Sequence, residues 1–234
     1  LKISNKYAST SSEKNEQVAV SEYAEAEKAF SNQCCALIIC AYYKIIGDKK
    51  LLRKWGEETI TRHLKKRIKL CIKEAELQYF VVPEYPEDDD EIDEGIKDTK
   101  QEVYFDLVFS SFNKSDQLYF AVEAKVVIEN NYLKRIATTE LAEYISNKGM
   151  RKFIEGIYKK KGCMIGYVME GSPTVIVKNI NEKIKIDSFY KDKPELKEKI
   201  IEAKFNLHYE SDHSGYTENP LKHLFLDFTA CQEQ

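Results

Sequence analysis

The sequence predicts an α/β domain, a mixed sheet flanked by helices, preceded by an N-terminal helical extension. Two observations lead there. After a helical beginning, short apolar runs with strand character alternate with segments of helical period. In addition, two successive strands carry charged residues inside otherwise apolar text: Asp106 on the first, Glu123 and Lys125 on the second. The 234 residues suffice for one fair-sized domain with an added segment, and 43% apolar residues suffice for an ordinary core. We expect the extension over residues 1–50 and the main domain over 51–234.

Residues 1–16 are polar, rich in Ser, Lys and Asn, and are expected to form a mobile terminus. Helical text follows from Gln17 to Ile46, with Gly47-Asp48 as its stop. A second helix is expected from Leu51 to Glu76, where Ile60, Leu64, Ile68, Cys71 and Ala75 share one face. Glu57 falls on that inward stripe, whereas Glu58 is rotated about 100° away. Gln78–Tyr85 reads as a short strand, and the acidic run Glu87–Gly95 as a solvated loop. Glu102–Ser111 and Gln117–Ile128 read as two strands joined by the turn-forming Asn113–Asp116. Ala137–Lys161 is helical in pattern and ends in lysines before Gly162. Cys163–Glu170 is expected to be a buried strand, Thr174–Ile180 another strand or strand edge, Pro194–Phe205 an amphipathic helix, and Leu221–Phe228 a final strand.

Charge is abundant but balanced, at a formal net −3. A protein that binds nucleic acid over its whole surface would be basic, so any such contact must come from a local patch. The six cysteines form no Cys-x-x-Cys pair, and most lie in apolar runs. They read as reduced, mostly buried thiols of a cytoplasmic protein rather than zinc ligands or disulfides. The apolar stretch Cys34–Ile46, interrupted by Lys44, is expected to be too short to span a bilayer, and no secretory leader is expected. His208, His213 and His223 match no zinc spacing and read as surface or hydrogen-bonding histidines. Neither a phosphate-binding Gly-x-x-x-x-Gly-Lys loop nor a serine nucleophile elbow occurs, which argues against ATP hydrolysis and acyl transfer by this chain.

The chemistry concentrates in the strand Leu118–Val127. With a period of two, Leu118, Phe120, Val122, Ala124 and Val126 face one side, while Tyr119, Ala121, Glu123, Lys125 and Val127 face the other. Opposite charges in an apolar strand cost free energy unless they are paired or bind something. If the preceding strand forms a hairpin with this one, Asp106 lies beside Glu123. Two converging carboxylates, with the backbone carbonyl of Ala124, make a hard-oxygen site suited to Mg2+ or Mn2+. Lys125 then stands where it can orient an attacking water or stabilise negative charge developing on a phosphate. A buried ion pair without catalytic purpose is the alternative, but such pairs seldom stabilise more than apolar replacements do.

The Asp106…Glu123-Ala124-Lys125 arrangement resembles the PD-(D/E)xK nucleases, the restriction-endonuclease-like superfamily. Tyr104-Phe105 stands where the family name carries a proline. The resemblance extends from about Leu51 to Phe228 and implies a restriction-endonuclease-like fold. It further implies that Asp106 and Glu123 bind metal, that Lys125 assists the nucleophilic water, and that Glu57 on the first core helix joins them. The activity implied is metal-dependent hydrolysis of DNA. Around it, Lys148, Arg151 and Lys152 are candidates for contact with backbone phosphates. A competing expectation is a catalytically silent, nuclease-like subunit that docks on a larger ATPase or a nucleic-acid-sensing partner, as accessory nucleases of bacterial phage-defence systems do. Self-association into a homo-oligomer is compatible with either.

Overall fold

The computed structural model describes residues 9–86, 104–112, 117–158, 161–190, 195–200, 202–213 and 220–232. The acidic run at 87–95, the turn at 113–116, and Lys159 and Lys160 lie outside the described residues. Helix α1 (Ser9–Asp48) begins earlier than expected and takes in half of the segment read as a mobile terminus. The Glu, Lys and Gln residues there are good helix formers, so a polar run can still be helical. By length and composition, Glu22–Asp48 is long and apolar enough to cross a membrane, unlike the shorter stretch Cys34–Ile46 within it. Here its stripe of Phe30, Cys34, Ile38, Ala41 and Ile45 is buried in the same core as α2 (Glu57–Glu74) and the sheet. Tyr42 and Tyr43 fasten the helix further by donating to the carbonyls of Asp227 (2.9 Å) and Lys204 (2.6 Å).

The sheet comprises β1 (Tyr79–Pro86), β2 (Tyr104–Phe112), β3 (Gln117–Ile128), β4 (Gly162–Glu170), β5 (Lys197–Glu198), β6 (His208–Ser211) and β7 (Leu221–Asp227). Its order is β1-β2-β3-β4-β7-β6-β5. The first three strands are antiparallel, β3, β4 and β7 run parallel, and β7, β6 and β5 are antiparallel again. The mixed α/β sheet expected from sequence is therefore present. Helices α1 and α2 cover one face. The other is covered by α3 (Ala137–Ile145), the short α4 (Arg151–Ile154) and α5 (Pro173–Ile186). Central strands β3 and β4 are buried on both faces, which explains their nearly continuous apolar text.

Three expectations are corrected. The run Thr174–Ile180 is not a strand but the first half of α5, opened by Pro173 and burying Ile176, Val177, Ile180 and Ile184 on one face. The β-branched residues hid a period that emerges only when the reading continues to Ile184. Of the amphipathic helix expected at Pro194–Phe205, the described residues 195–200 and 202–205 are not helical. Lys197 and Glu198 instead pair with β6 at the sheet edge, and Ile200, one of its apolar residues, is 71% exposed without a core to meet. Finally, Ala137–Lys161 is broken after Ile145. The chain turns through Ser146–Gly149, and a Cβ on Gly149 would lie 2.3 Å from the carbonyl oxygen of Tyr144.

Gly162 opens β4 in a similarly tight place. A Cβ there would lie 2.3 Å from the Ala121 carbonyl oxygen and 2.6 Å from Phe153. We expect Gly162→Ala to cost ~2–4 kcal/mol in denaturant unfolding, since backbone cannot yield as a flexible side chain can. A loss below about 0.5 kcal/mol would show that β3 and β4 separate easily.

Candidate active site

The hairpin expected from sequence forms, and its register decides the site. Leu107 pairs with Val122, so continuing by one step sets Asp106 against Glu123. The ladder ends there. Instead of a strand-to-strand bond, the Asp106 carboxylate (Oδ2) accepts the Ala124 amide at 2.7 Å. Beyond this point β3 retains β4 on one side, with Glu123 opposite Met164 and Lys125 opposite Gly166. On the other side the strands part, and the first turn of α2 delivers Glu57 to the gap.

Lys125 lies at the centre. Its ammonium donates to Glu123 (2.8 Å), Glu57 (3.0 Å) and the carbonyl of Ala124 (2.8 Å). Three oxygen acceptors for three protons leave this buried cation fully satisfied. Glu58 is exposed, so the helical-wheel choice of Glu57 agrees with the geometry. The loop ahead of α2 is braced: Arg135 donates to the Trp55 carbonyl (2.9 Å), and Arg53 donates to the Met169 carbonyl (2.9 Å) while lying over the Tyr132 ring. These contacts fix where α2 starts, hence where Glu57 points.

Electrostatics follow from burial first and from neighbouring charges second. Burial, aided by the charge of Glu123, pushes the Asp106 carboxyl up to about 7, against the opposing pull of Lys125 and the Ala124 amide. Burial also raises Glu57, more than Lys125 lowers it. For Lys125, burial opposes the charge, but Glu123, Glu57 and Asp106 together hold the ammonium above its ordinary range.

The expected phosphate-binding trio does not act as one surface. Lys148 is exposed and pairs with Glu143 (3.0 Å). Arg151 is committed to both oxygens of Asp187 (2.8 and 2.7 Å) and lies over Phe189. Lys152 alone enters the site, meeting Glu123 at 3.1 and 3.2 Å. Beside it is a residue that sequence reasoning missed. Tyr158 donates to Glu123 at 2.5 Å, accepts from Lys152 at 2.7 Å, and lies 2.7 Å from the Tyr104 carbonyl. It stands outside regular structure, where periodicity carries no signal.

The oxygen set suits a hard divalent ion. Asp106, Glu123 and the Ala124 carbonyl offer only oxygen donors, the kind such an ion prefers. As the side chains stand, no three His, Cys, Asp or Glu side chains among the described residues are gathered as a ready cation cage. The ammonium groups of Lys125 and Lys152 lie between the acids instead.

Other candidates play structural parts. All three C-terminal histidines are buried and hydrogen-bonded, the second of the two roles expected for them, and none is on the surface. His223 bonds Tyr144 (2.9 Å) and Ser211 (2.8 Å), Ser211 bonds His213 (2.7 Å), and His208 meets the Lys199 carbonyl (3.0 Å). The six cysteines are free thiols, four of them buried, as expected.

Comparison with protein-family models, with curated proteins and with solved structures finds no match. Function therefore rests on the geometry alone.

Proposed function

We propose that the chain is a metal-dependent nuclease of the PD-(D/E)xK, restriction-endonuclease-like kind, hydrolysing DNA phosphodiester bonds. The observation that carries this reading is the convergence of Asp106, Glu123, the Ala124 carbonyl and Lys125 where β2 and β3 part. Asp106, Glu123 and the Ala124 carbonyl would hold Mg2+ or Mn2+. The ion supplies Lewis-acid polarisation of the phosphodiester and of the attacking water. Lys125 aligns that water and stabilises charge on the phosphate oxygens, while Glu57 holds its ammonium in place. The reading extends to a cytoplasmic setting, consistent with the free thiols, and to service as the effector subunit of a phage-defence or restriction system. A protein partner such as an ATPase subunit, or a second copy of the chain, would complete that assembly.

The test uses the purified chain with plasmid, linear and single-stranded DNA, in Mg2+, Mn2+ or EDTA. We expect cleavage that EDTA abolishes and that Asp106→Ala and Lys125→Ala each reduce by about 100-fold or more. Metal-dependent cleavage that survives either substitution refutes the site. No cleavage under any condition, with no Mn2+ bound by calorimetry, favours a silent docking subunit.

A further inference from the structure

Glu123 is 3% exposed, yet it accepts from three separate groups: Lys125, Lys152 and Tyr158. Lys125 bonds three different residues, Glu57, Glu123 and Ala124. Lys152 also makes three bonds, but to two residues: two go to its one carboxylate partner among the described residues, Glu123, and the third to the Tyr158 hydroxyl. It also comes from the four-residue α4 rather than from the sheet, and its side chain is 16% exposed against 10% for Lys125.

We infer that Lys152 is an exchangeable internal cation: it neutralises Glu123 until a divalent ion arrives, then moves to a nucleic-acid phosphate, while Tyr158 keeps Glu123 aimed. The inference rests on the metal-dependent reading above. Two ammonium groups now face three carboxylates, Asp106, Glu57 and Glu123. A divalent ion at Glu123 would raise the positive charge beyond the negative, and the less firmly held ammonium is the one expelled. The Lys152 ammonium also lies 5.0 Å from the Tyr158 ring centroid, a weaker contact than the ion pair it would give up. Outside, the ligand matching a lysine that has lost its carboxylate is a phosphodiester oxygen of the bound strand.

Tyr158 is a positioning residue. Its ring is fixed against Phe105 (4.1 Å between centroids) and Phe153 (4.9 Å), so its hydroxyl can hold Glu123 whether or not Lys152 is present. Groups that orient a metal ligand commonly change metal affinity by 10–100-fold without altering the fold.

Calorimetric titration of the full chain with Mn2+, without nucleic acid, tests both roles. Lys152→Met should bind Mn2+ about 5–10-fold more tightly than wild type, because a competing cation is gone, while Lys152→Arg should stay near wild type. Tyr158→Phe should bind Mn2+ about 10-fold more weakly with an unchanged melting temperature. In the wild-type protein, Mn2+ should increase reductive methylation of Lys152, read by mass spectrometry, but not of Lys125. That measurement needs no variant to fold. Unchanged or weaker Mn2+ binding by a folded Lys152→Met, or a Lys152 that stays protected when Mn2+ is bound, overturns the inference and leaves the nuclease reading standing. A wild-type chain that binds no Mn2+ overturns both.

Discussion

Replacing Lys125 with methionine is expected to lower metal-dependent DNA cleavage by about 10³-fold and to destabilise the protein as well. The two effects have separate causes. On the proposed reading, the catalytic loss would come from removing the charge that stabilises the phosphate. The stability loss arises because Glu57 and the Ala124 carbonyl lose their partner, while Glu123 keeps Lys152 and Tyr158. Breaking a buried pair from one side costs ~3–5 kcal/mol, and partial exposure of Glu57 reduces that to ~2–3 kcal/mol here. Lys125 has a raised pKa, so its contribution is complete below the ordinary lysine value and is lost only in strong alkali. Its loss should therefore appear throughout the neutral range. Single-turnover cleavage and urea unfolding of Lys125→Met and Lys125→Arg measure both quantities. If Lys125→Met still cleaves within tenfold of wild type, the lysine has no chemical part.

Asp106→Asn should do the reverse for folding: remove metal-dependent cleavage while making the metal-free protein more stable. The Asp106 carboxyl is raised from an ordinary 3.8 to about 7, so the folded state holds its proton more tightly than the unfolded chain does. Relative stability is thus greatest below about pH 4, falls as pH rises, and reaches its full loss above about pH 7. The full shift sets a ceiling of ~4 kcal/mol; allowing for relaxation around the charge, a gain of ~1–3 kcal/mol is expected at pH 8. Asparagine can still accept the Ala124 amide through its carbonyl oxygen, so the strand contact survives. The gain should shrink steadily between pH 8 and pH 4, and adding Mn2+ should stabilise wild type but not the variant. Equal stability of the two proteins at pH 8 would mean that Asp106 carries no such strain. This exchange of stability for function is common where like charges are held together for a ligand.

The central acids were legible because two simple rules agree on them. Alternation along Leu118–Val127 separates Glu123 and Lys125 from the apolar face, and hairpin pairing then brings Asp106 opposite. Glu57 was legible from helical phase. Neither rule reaches Tyr158 or the partner of Lys152, since the chain there is irregular and its contacts depend on how the turn at Ser146–Gly149 re-aims it. Elsewhere local pattern misled: valine and isoleucine in α5 imitated a strand, and the amphipathic text after Pro194 found no apolar surface to complete a helix. Burial of the histidines depends on β6 and β7 meeting, which no local window contains.

The place of β7 in the sheet also governs when the molecule can mature. Cys163 of β4 finds Lys222 of β7 as its neighbour only after a long stretch of intervening chain, whereas β2 and β3 can zip together as soon as both exist. Such distant pairing slows folding and leaves a half-finished sheet with a sticky margin. During synthesis, the hairpin of β2 and β3 should therefore emerge before β7 and become fully ordered only once β7 has joined β4.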